Sequence, residues 1–517
     1  MSDDRFCPLV HFTPPTGWMN DPNGLVYVEG EYHLFYQYLT PRHWGHAVSP
    51  DLVHWTHLPI ALYPDDLGAI WSGSVVVDRD DTSGFFGGRP GLVALFTHCN
   101  ERTPPAGPQM QSLAYSADRG RTWTMYRHNP VIPNPGVADF RDPKVFWHAG
   151  TQRWVMVVAF NKDRVHVYIS PNLRDWTWAS AFGVGQGAHD GTWECPDLFA
   201  LPVEGDADRT TWVLHVSVLH DRRPDAHRHE MQYFIGDFDG TTFTNDNPAD
   251  VTLWSDYGRD NYAAVSWSDV PASDGRRLWI GWMNHWMYAR RVPTGPWQGA
   301  MTLPRRLQLA RRPAGVRLIQ TPIAELTRLR GPAIRQGEVM ITPTLPLRVP
   351  GTGDVFEVEL ELRGGTATAC GVRIRHGVEY HTTIAYDVAA STLVVDRAHA
   401  GQTVFNPAFA ATQEAPLTPR PETLALHIFV DRSSVEVFAD AGAVVITSLI
   451  FPDARTTDLE VYAVGGEAQV RTLTVYPLGT VGTSGMVGAT DGDVVVTLPP
   501  AGDRIGRGRT RWTTISA

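Results

Sequence analysis

Short apolar runs of strand length, each bounded by turn-forming residues, recur along the whole chain. They are rich in Val, Phe, Tyr and Trp, with Gly, Pro, Asp and Asn at their ends, which is the pattern of antiparallel β-structure. The clearest runs lie at 24–28, 32–38, 74–78, 91–98, 153–160 and 211–219. The sequence shows no alternation of strands with helices, so a parallel α/β sheet is not expected. The chain is therefore predicted to be all-β.

A weak internal repeat lies over these runs. SPDLVHW (49–55), SADRGRTW (116–123) and SPNLRDW (170–176) share a Ser, a turn containing Asp and a terminal Trp, and DFDGTTF (237–243) resembles a degenerate copy. The Ser-to-Ser spacings are 67 and 54 residues. Such a period, with several short strands in each unit, is typical of propeller blades. The alternative is three unrelated β-turns, because Ser, Pro and Asp are common turn residues.

The composition and the residue pattern of the sequence change after residue 309. The basic segment 311–331 contains the best candidate for a short helix, near 322–330, and the strands that follow alternate apolar and polar residues, as in 356–363 and 433–440. A single core stops growing at roughly 250–300 residues, so 517 residues predict two domains. We expect a first β domain over 1–320, a linker with a short helix over 321–336, a β-sandwich over 337–480 and a tail of unassigned structure over 481–517.

Composition and charge exclude several classes of ligand. A net charge of −11 argues against nucleic acid, because phosphate binding depends on Lys and Arg. The sequence contains no apolar run approaching the roughly 20 residues of a membrane span. The four cysteines are scattered, which indicates neither a metal site nor a redox motif. No cofactor is expected, the location is cytoplasmic as written or secreted if a leader has been removed, and the oligomeric state is not indicated.

Two acidic motifs place an Asp before a Pro. In WMNDPNG (18–24), Pro22 favours extended backbone at Asp21, and the following Asn-Gly pair is a turn signal, so Asp21 is expected at a strand end facing a turn. In FRDP (140–143), Asp142 again precedes Pro and stands beside Arg141. An adjacent guanidinium lowers a carboxyl pKa or binds sugar hydroxyls. Taken singly, Asp21 is better explained as a residue that caps a turn, and Asp142 is equally well explained as a partner in a surface ion pair.

The third acidic motif is WECPD (193–197), where Glu194 stands between Trp193 and Cys195. We expect an apolar neighbourhood there, which is what a general acid requires, although an exposed Glu at a strand end is the plain alternative. Cleavage of a glycosidic bond needs one carboxylate as nucleophile and one carboxylic acid as proton donor. Three acids in a Trp-rich β chain without a Ser/His/Asp signature therefore favour a glycoside hydrolase.

At these motifs the chain resembles the family 32 glycoside hydrolases, which include invertases, levanases and exo-inulinases. The resemblance extends from about residue 8 to about residue 475. The matching motifs, in order, are WMNDPNG (18–24), YHLFYQY (32–38), HWGHAVS (43–49), DLVHW (51–55), WSGS (71–74), FRDPKVFW (140–147), WECPDLF (193–199), DYGRDNYAA (256–264), IGWMNHW (280–286), PTGPWQGAMTLPR (293–305), DRSSVEVFAD (431–440) and IFP (450–452).

The resemblance implies a five-bladed β-propeller followed by a β-sandwich. It implies that Asp21 is the nucleophile, that Glu194 is the acid/base, and that Asp142, with Arg141 beside it, stabilises the transition state through fructose hydroxyls. The residues that it places around the fructosyl ring are Asn20, Gln37 and Ser72, with Trp18 and Trp71 as the aromatic wall.

The sequence departs from the family pattern in two places. Only LTPR (39–42) separates FYQY from HWGH, where most relatives have a longer loop with another Trp, so the pocket is expected to be more open on one side. Asn261 stands where relatives usually have an aromatic residue.

The implied function is that of a retaining β-fructofuranosidase acting on terminal β-D-fructosyl linkages of levan or inulin, and on sucrose. Two alternatives use the same carboxylates, namely fructosyl transfer and release of difructose. A non-catalytic carbohydrate-binding protein is a remote alternative, because it would be expected to have lost a catalytic carboxylate.

Overall fold

The computed structural model describes residues 4–101, 107–220, 230–417 and 422–479. The predicted tail over 481–517 lies outside these ranges. The described residues form 35 β-strands and three short 3-10 helices, at Asp4–Phe6, Ala324–Leu329 and Asp440–Gly442. The prediction of an all-β chain is confirmed. In the described ranges no helix has the length and apolar character needed to cross a bilayer.

The N-terminal strands form successive antiparallel meanders. The first contains β1 (Gly17–Val28), β2 (Glu31–Tyr38), β3 (His43–Ser49) and β4 (Thr56–Leu62). The second contains β5 (Ala69–Asp78), β6 (Gly91–Cys99), β7 (Gln109–Ser116) and β8 (Thr124–Met125). The third contains β9 (Phe140–His148), β10 (Arg153–Phe160), β11 (Arg164–Ser170) and β12 (Thr177–Phe182).

The following strands continue this arrangement. The fourth meander contains β13 (Gly191–Val203), β14 (Asp206–His220), β15 (Met231–Phe238), β16 (Phe243–Asn245) and β17 (Leu253–Trp254). After it come β18 (Tyr262–Ser266), β19 (Arg277–Trp282), β20 (Trp297–Gln298), β21 (Arg305–Arg312) and β22 (Gly315–Pro322). β20 pairs in parallel with β1, whereas the other four form a last meander. A parallel pairing of Val203 with Leu309 joins this meander to the fourth.

The first strands of the meanders are neighbours in a closed ring. β1 contacts β5, β5 contacts β9, β9 contacts β13, β13 contacts β18, and β18 contacts β1. Each sheet therefore has an apolar core on both faces. Because both faces are buried, the sequences of the strands are continuous apolar runs. In β10, Met156 and Val158 pack into a core shared with the second meander, whereas Val155 and Val157 pack into a core shared with the fourth. Successive side chains of a strand point to opposite faces, so one run supplies two cores.

The repeated Ser-turn-Trp segments occupy equivalent places. Each copy follows the third strand of its meander, at the ends of β3, β7 and β11. The indole N–H of its Trp donates back into the turn, from Trp55 to the Leu52 carbonyl, from Trp123 to Gly120 and from Trp176 to Leu173, at 2.8–3.1 Å. The degenerate copy at 237–243 follows β15, which is again a third strand. The copies are therefore one turn repeated, and not unrelated turns.

The C-terminal strands form two sheets that face each other across one apolar core. One sheet has the order β23-β35-β26-β31-β32-β33 with β24 beside β35, and the other β25-β34-β27-β28-β29-β30. The strands are β23 (Ile334–Gln336), β24 (Val339–Ile341), β25 (Leu347–Val349), β26 (Phe356–Arg363), β27 (Ala369–His376), β28 (Thr382–Asp387), β29 (Thr392–Asp396), β30 (Thr412–Pro416), β31 (Leu424–Asp431), β32 (Ser434–Ala439), β33 (Val444–Leu449), β34 (Asp458–Val464) and β35 (Ala468–Pro477).

The segment expected to be a linker contributes to this region. Its short helix is the 3-10 helix Ala324–Leu329, which buries Leu326 and Leu329. β23 lies inside the predicted linker 321–336 and pairs with β35, so regular structure of the C-terminal region begins at Ile334.

A buried ionic network joins the two regions. His11 lies 2.7 Å from Asp431 and 3.0 Å from Glu436. The Arg305 guanidinium donates to Glu436 at 2.7 Å and to Asp256 at 3.1 Å. Burial disfavours a charged imidazole, but the two carboxylates outweigh it and raise the pKa of His11 to about 9. Removal of one partner would leave a buried charge uncompensated, so the network fixes how the regions pack.

Candidate active site

The first strand of each of the five meanders carries a β-bulge, and one polar side chain stands at each bulge. The register breaks beside Asp21 in β1, Ser72 in β5, Asp142 in β9, Glu194 in β13 and Tyr262 in β18. A bulge re-aims a side chain that regular pairing would hold in the pleat. Because the five strands form a ring, these side chains converge at its centre.

The position of Asp21 differs from the predicted one. It does not end a strand before a turn, because β1 continues through Asn23 and Gly24 to Val28. The Asn-Gly pair forms part of an irregular pairing with β2, and Gly24 has φ +56°, a left-handed conformation. A Cβ at Gly24 would lie 2.6 Å from the Phe35 ring. The turn-forming residues therefore make a bulge inside a strand.

Asp21 is held by two donors. The Ser72 hydroxyl donates to Oδ2 at 2.7 Å, and the Asn20 amide donates to Oδ1 at 3.0 Å. The Trp18 indole N–H in turn donates to the Asn20 carbonyl oxygen at 2.9 Å, which orients that amide. Burial raises the pKa of Asp21, and the nearby Glu194 charge adds to it, against these hydrogen bonds.

Asp142 is buried and has φ +64°, although the residue before a proline normally adopts extended backbone. Asp142 therefore departs from the conformation that a following proline favours. A non-glycine residue in this region costs about 1–3 kcal/mol and persists only where its surroundings impose it. The Cys195 backbone N–H donates to Asp142 Oδ2 at 3.0 Å, and the Thr97 hydroxyl accepts from the Asp142 N–H at 3.0 Å. Burial raises the pKa of Asp142 to about 7, with Glu194 and Asp21 adding and Arg141 opposing.

Glu194 has polar partners in place of the expected apolar neighbourhood. The Arg141 Nε and Nη2 groups donate to its Oε1 at 3.0 and 2.7 Å, and the Tyr262 hydroxyl donates to Oε2 at 2.5 Å. The Trp193 ring points to the other face of β13 and packs in the core with Leu214. The expectation failed because neighbouring residues in a strand face opposite sides.

Arg141 connects the acidic groups. It contacts Glu194 as described, lies 3.9 Å from Asp142 Oδ2, and forms an ion pair with Asp139. Burial alone would lower the pKa of Arg141, but these three carboxylates outweigh burial and raise it. The guanidinium therefore stays charged and partly neutralises the cluster.

The cavity at the centre of the ring has a volume of about 420 Å³. Eight of the nine predicted site residues line it, namely Asn20, Asp21, Gln37, Trp71, Ser72, Arg141, Asp142 and Glu194. The ninth, Trp18, lies outside the lining and packs against Trp282 and Trp286 at centroid distances of 5.8 and 6.0 Å. Trp18 therefore acts on the cavity indirectly, through its hydrogen bond to Asn20 and its packing against Trp286.

The site also contains residues that the sequence reasoning did not single out. Tyr262 donates to Glu194, Cys195 places its thiol 3.8 Å from Asp21 and 3.6 Å from Asp142, and Arg42 and Trp286 line the cavity. Two signals existed, since Tyr262 and Trp286 lie in the recognised motifs DYGRDNYAA and IGWMNHW. For Arg42 the sequence offered only the length of its loop.

Among the described residues one group has the composition of a metal site, and it lies in the C-terminal region. Glu357, Glu359 and His427 bring ligand atoms within 4.8 Å of one another. Arg330 already forms ion pairs with the two carboxylates, at 2.5 and 2.6 Å, and His427 lies 2.5 Å from Glu357. The Arg330 guanidinium therefore already supplies the positive charge that a metal ion would supply. This cluster is far in sequence from the carboxylates of the cavity.

Comparison with known families agrees with this geometry. Residues 11–322 match the glycosyl hydrolases family 32 N-terminal domain, and residues 325–477 match the family 32 C-terminal domain. The chain belongs to glycosyl hydrolase family 32. The predicted family and the predicted class of enzyme, a glycoside hydrolase, are thereby confirmed.

Individual family 32 members cover most of the chain. A levanase of Bacillus subtilis (strain 168) is 51% identical over 487 residues, covering 92% of this chain and 71% of the relative. An extracellular exo-inulinase of Aspergillus awamori is 37% identical over 521 residues, covering 92% and 95%. The crystal structure of exo-inulinase from Aspergillus awamori superimposes with a TM-score of 0.84 at 34% identity, covering 93% of this chain and 99% of that one.

Proposed function

We propose that this family 32 enzyme is a retaining β-fructofuranosidase that hydrolyses terminal β-D-fructosyl linkages of levan, inulin and sucrose. The observation that carries the proposal is the convergence of Asp21, Asp142 and Glu194 on one cavity, each from the bulged first strand of a different meander. The levanase and exo-inulinase relatives support fructans as the substrate class.

The contacts support one assignment of chemical roles. Asp21 attacks the anomeric carbon of the fructosyl unit while Glu194 donates its proton to the leaving oxygen, and the glycosidic bond breaks as the fructosyl–Asp21 ester forms. Glu194 then removes a proton from water, the resulting hydroxide displaces Asp21, and fructose is released. Asp21 fits the nucleophile because Ser72 and Asn20 donate to its two oxygens and fix its orientation.

Asp142 and Arg141 are assigned to the fructosyl hydroxyls. Asp142 is immobilised by the Cys195 N–H and faces the same cavity as the nucleophile. A carboxylate that accepts hydrogen bonds from ring hydroxyls stabilises the positive charge that develops in an oxocarbenium-like transition state. Arg141 binds Glu194 in this structure, so we assign it two roles. It orients the acid/base, and it forms part of the wall of the fructosyl pocket.

The remaining predicted residues complete the pocket for the fructosyl ring. Gln37 is 1% exposed, its amide N–H donates to the Ile70 carbonyl at 3.1 Å, and within the described ranges its side-chain oxygen has no hydrogen-bond partner. Gln37 lines the cavity, so we assign this oxygen to a substrate hydroxyl. Trp71 is half-buried in the cavity wall, where an apolar face suits the C–H face of a sugar ring.

We also propose that the N-terminal region is a five-bladed propeller. Four meanders contain one complete blade each, and β18, β19, β21 and β22 form the fifth. The support is the closed ring of five first strands, the bulge that each of them carries, and the Ser-turn-Trp copies after third strands. The pairing of Val203 with Leu309 then connects adjacent blades.

The test is to incubate the purified protein separately with levan, inulin and sucrose and to resolve the products over time. Steady release of free fructose alone is expected. Difructose, or longer products built by transfer, would instead favour one of the two alternatives that use the same carboxylates. An Asp21→Asn variant is the matched control, since its amide can still accept from Asn20 and pair with the Ser72 hydroxyl. No product from the wild-type protein on any substrate would leave only a binding role.

A further inference from the structure

Arg42 is the last residue of the short connection 39–42 between β2 and β3. Both ends of this connection are fixed by backbone hydrogen bonds. The Leu39 N–H donates to the Trp18 carbonyl at 3.0 Å, and the Arg42 carbonyl accepts from the Ile70 N–H at 2.9 Å. Because Ile70 precedes Trp71, the second bond places Arg42 beside the wall of the cavity.

The Arg42 side chain is held in one orientation by two neighbours. Its guanidinium lies over the Trp71 ring, 5.0 Å from the centroid, and forms an ion pair with Glu101. The Trp71 indole N–H donates to the same Glu101 oxygen at 2.7 Å. One carboxylate therefore fixes both the cation and the aromatic ring on which it stacks, in the manner of a cation–π pair.

Arg42 lies at the rim of the cavity and not on its floor. Its side chain is 28% exposed and that of Glu101 is 18% exposed, whereas the floor residues Asn20 and Asp142 are buried. Within the described ranges its guanidinium donates only to Glu101, so several of the five N–H groups of an arginine are unused. The rim is where a substrate must continue once its terminal sugar is in the pocket.

We propose that Arg42 is a specificity-determining residue that donates hydrogen bonds to the hydroxyls of the leaving-group sugar, the first unit beyond the cleaved bond. This inference rests on the proposed function. The Arg42–Glu101 pair has no net charge, which fits a neutral sugar and not a phosphorylated one. A planar guanidinium stacked on an indole presents its remaining donors along one edge, as hydroxyl recognition requires.

The experiment compares two kinds of substrate with one fructosyl unit in common. Sucrose carries a full leaving-group sugar, whereas methyl β-D-fructofuranoside leaves only methanol. For Arg42→Met, which keeps a flexible apolar stem without donors, we expect kcat/KM to fall about tenfold on sucrose and less than about twofold on the methyl glycoside. Arg42→Lys keeps the charge but not the planar fork, so its kcat/KM on sucrose should lie between those of Arg42→Met and the wild type.

The matched control is Arg121→Met. Arg121 forms an ion pair of similar exposure with Glu31 on the same region but does not line the cavity. Arg121→Met should leave kcat/KM unchanged on both substrates. An equal loss on both substrates for Arg42→Met would overturn the proposal, because it would assign Arg42 to the shape of the pocket or to Asp21. Unchanged kinetics on sucrose would overturn it as well. If the wild-type protein cleaves neither substrate, the proposed function itself fails.

Discussion

Replacing Asp142 by Asn is expected to stabilise the protein at alkaline pH and to leave its stability nearly unchanged in acid. The carboxyl is buried, and burial raises its pKa from 3.8 to about 7. The folded state therefore binds a proton more tightly than the unfolded chain does between these values. Stability that the protonated group contributes is present below pH 3.8 and is lost as the pH rises through 7.

The magnitude follows from the size of the shift. Each pKa unit corresponds to about 1.36 kcal/mol, so a shift from 3.8 to about 7 makes the wild-type protein less stable by about 4 kcal/mol at pH 8 than at pH 4, from this group alone. An Asn can still accept from the Cys195 N–H but carries no charge. For a cooperative unit of roughly 300–450 residues, about 4 kcal/mol corresponds to about 4–6 °C in Tm.

The assay is the difference in Tm between Asp142→Asn and the wild type, measured at intervals from pH 4 to pH 8.5. Asp118→Asn is the control with the opposite sign. Hydrogen bonds from Thr122 and Ser116 hold the pKa of Asp118 below its usual range despite the opposing effect of burial. Its charge therefore stabilises the fold above the unfolded pKa of 3.8 and is lost only below it, so Asp118→Asn should lower the Tm by a constant amount from pH 4 to pH 8.5. The equivalent turn in another copy already contains an Asn, at 172.

One pattern of results would refute this reasoning. If the Tm advantage of Asp142→Asn is the same at pH 4 and pH 8, burial of the charge is not its cause, and the φ of +64° is the better explanation, since Asn adopts that region readily. An advantage that grows toward acid would reverse the sign and contradict the raised pKa.

Three further predictions concern the cavity and the junction of the two regions. Asp21→Asn should lower kcat for fructose release at least about 10⁴-fold without lowering the Tm, and a residual rate within tenfold of the wild type would remove Asp21 from the nucleophile's role. Tyr262→Phe should lower kcat/KM on sucrose by about 10-fold or more in steady-state kinetics, because the hydroxyl donates to Glu194, the proposed acid/base, at 2.5 Å and holds it in place. His11→Gln should abolish a loss of stability between pH 6.5 and 9, up to about 3 kcal/mol, since the wild-type pKa is raised to about 9 and the protonated form stabilises the fold. If denaturation gives free energies of unfolding that decrease in parallel for the variant and the wild type across that pH window, this prediction is wrong.

Local sequence patterns were sufficient for much of the fold. Strands such as β6 and β10 are continuous apolar runs bounded by turn residues, and the repeated turn could be identified because its Ser and Trp interact within one short segment. Both features depend on neighbours in the sequence. The number of blades does not, because it depends on which first strands meet, and those contacts join segments about 50 residues or more apart.

The site divides in the same way. The motifs identified Asp21, Asp142 and Glu194 by residue type, but their environments depend on other strands. The partners of Glu194 are Arg141 and Tyr262, which lie 53 and 68 residues away. The apolar neighbourhood expected from Trp193 could have been rejected from the sequence, because adjacent strand residues point to opposite faces.

The electrostatics of the cavity bear on whether the chain is an enzyme or a binding protein. Burial raises the pKa of both Asp21 and Asp142, so ionised carboxylates there make the folded state less stable. A pocket that only binds neutral sugars could bind the same hydroxyls with amide side chains, such as those of Asn20 and Gln37, without this loss. Retaining charged groups in a desolvated cavity is expected where the charge has to act on a cationic transition state. Variants that neutralise these groups should therefore be more stable and inactive together, whereas in a binding protein the gain in stability would come without loss of affinity.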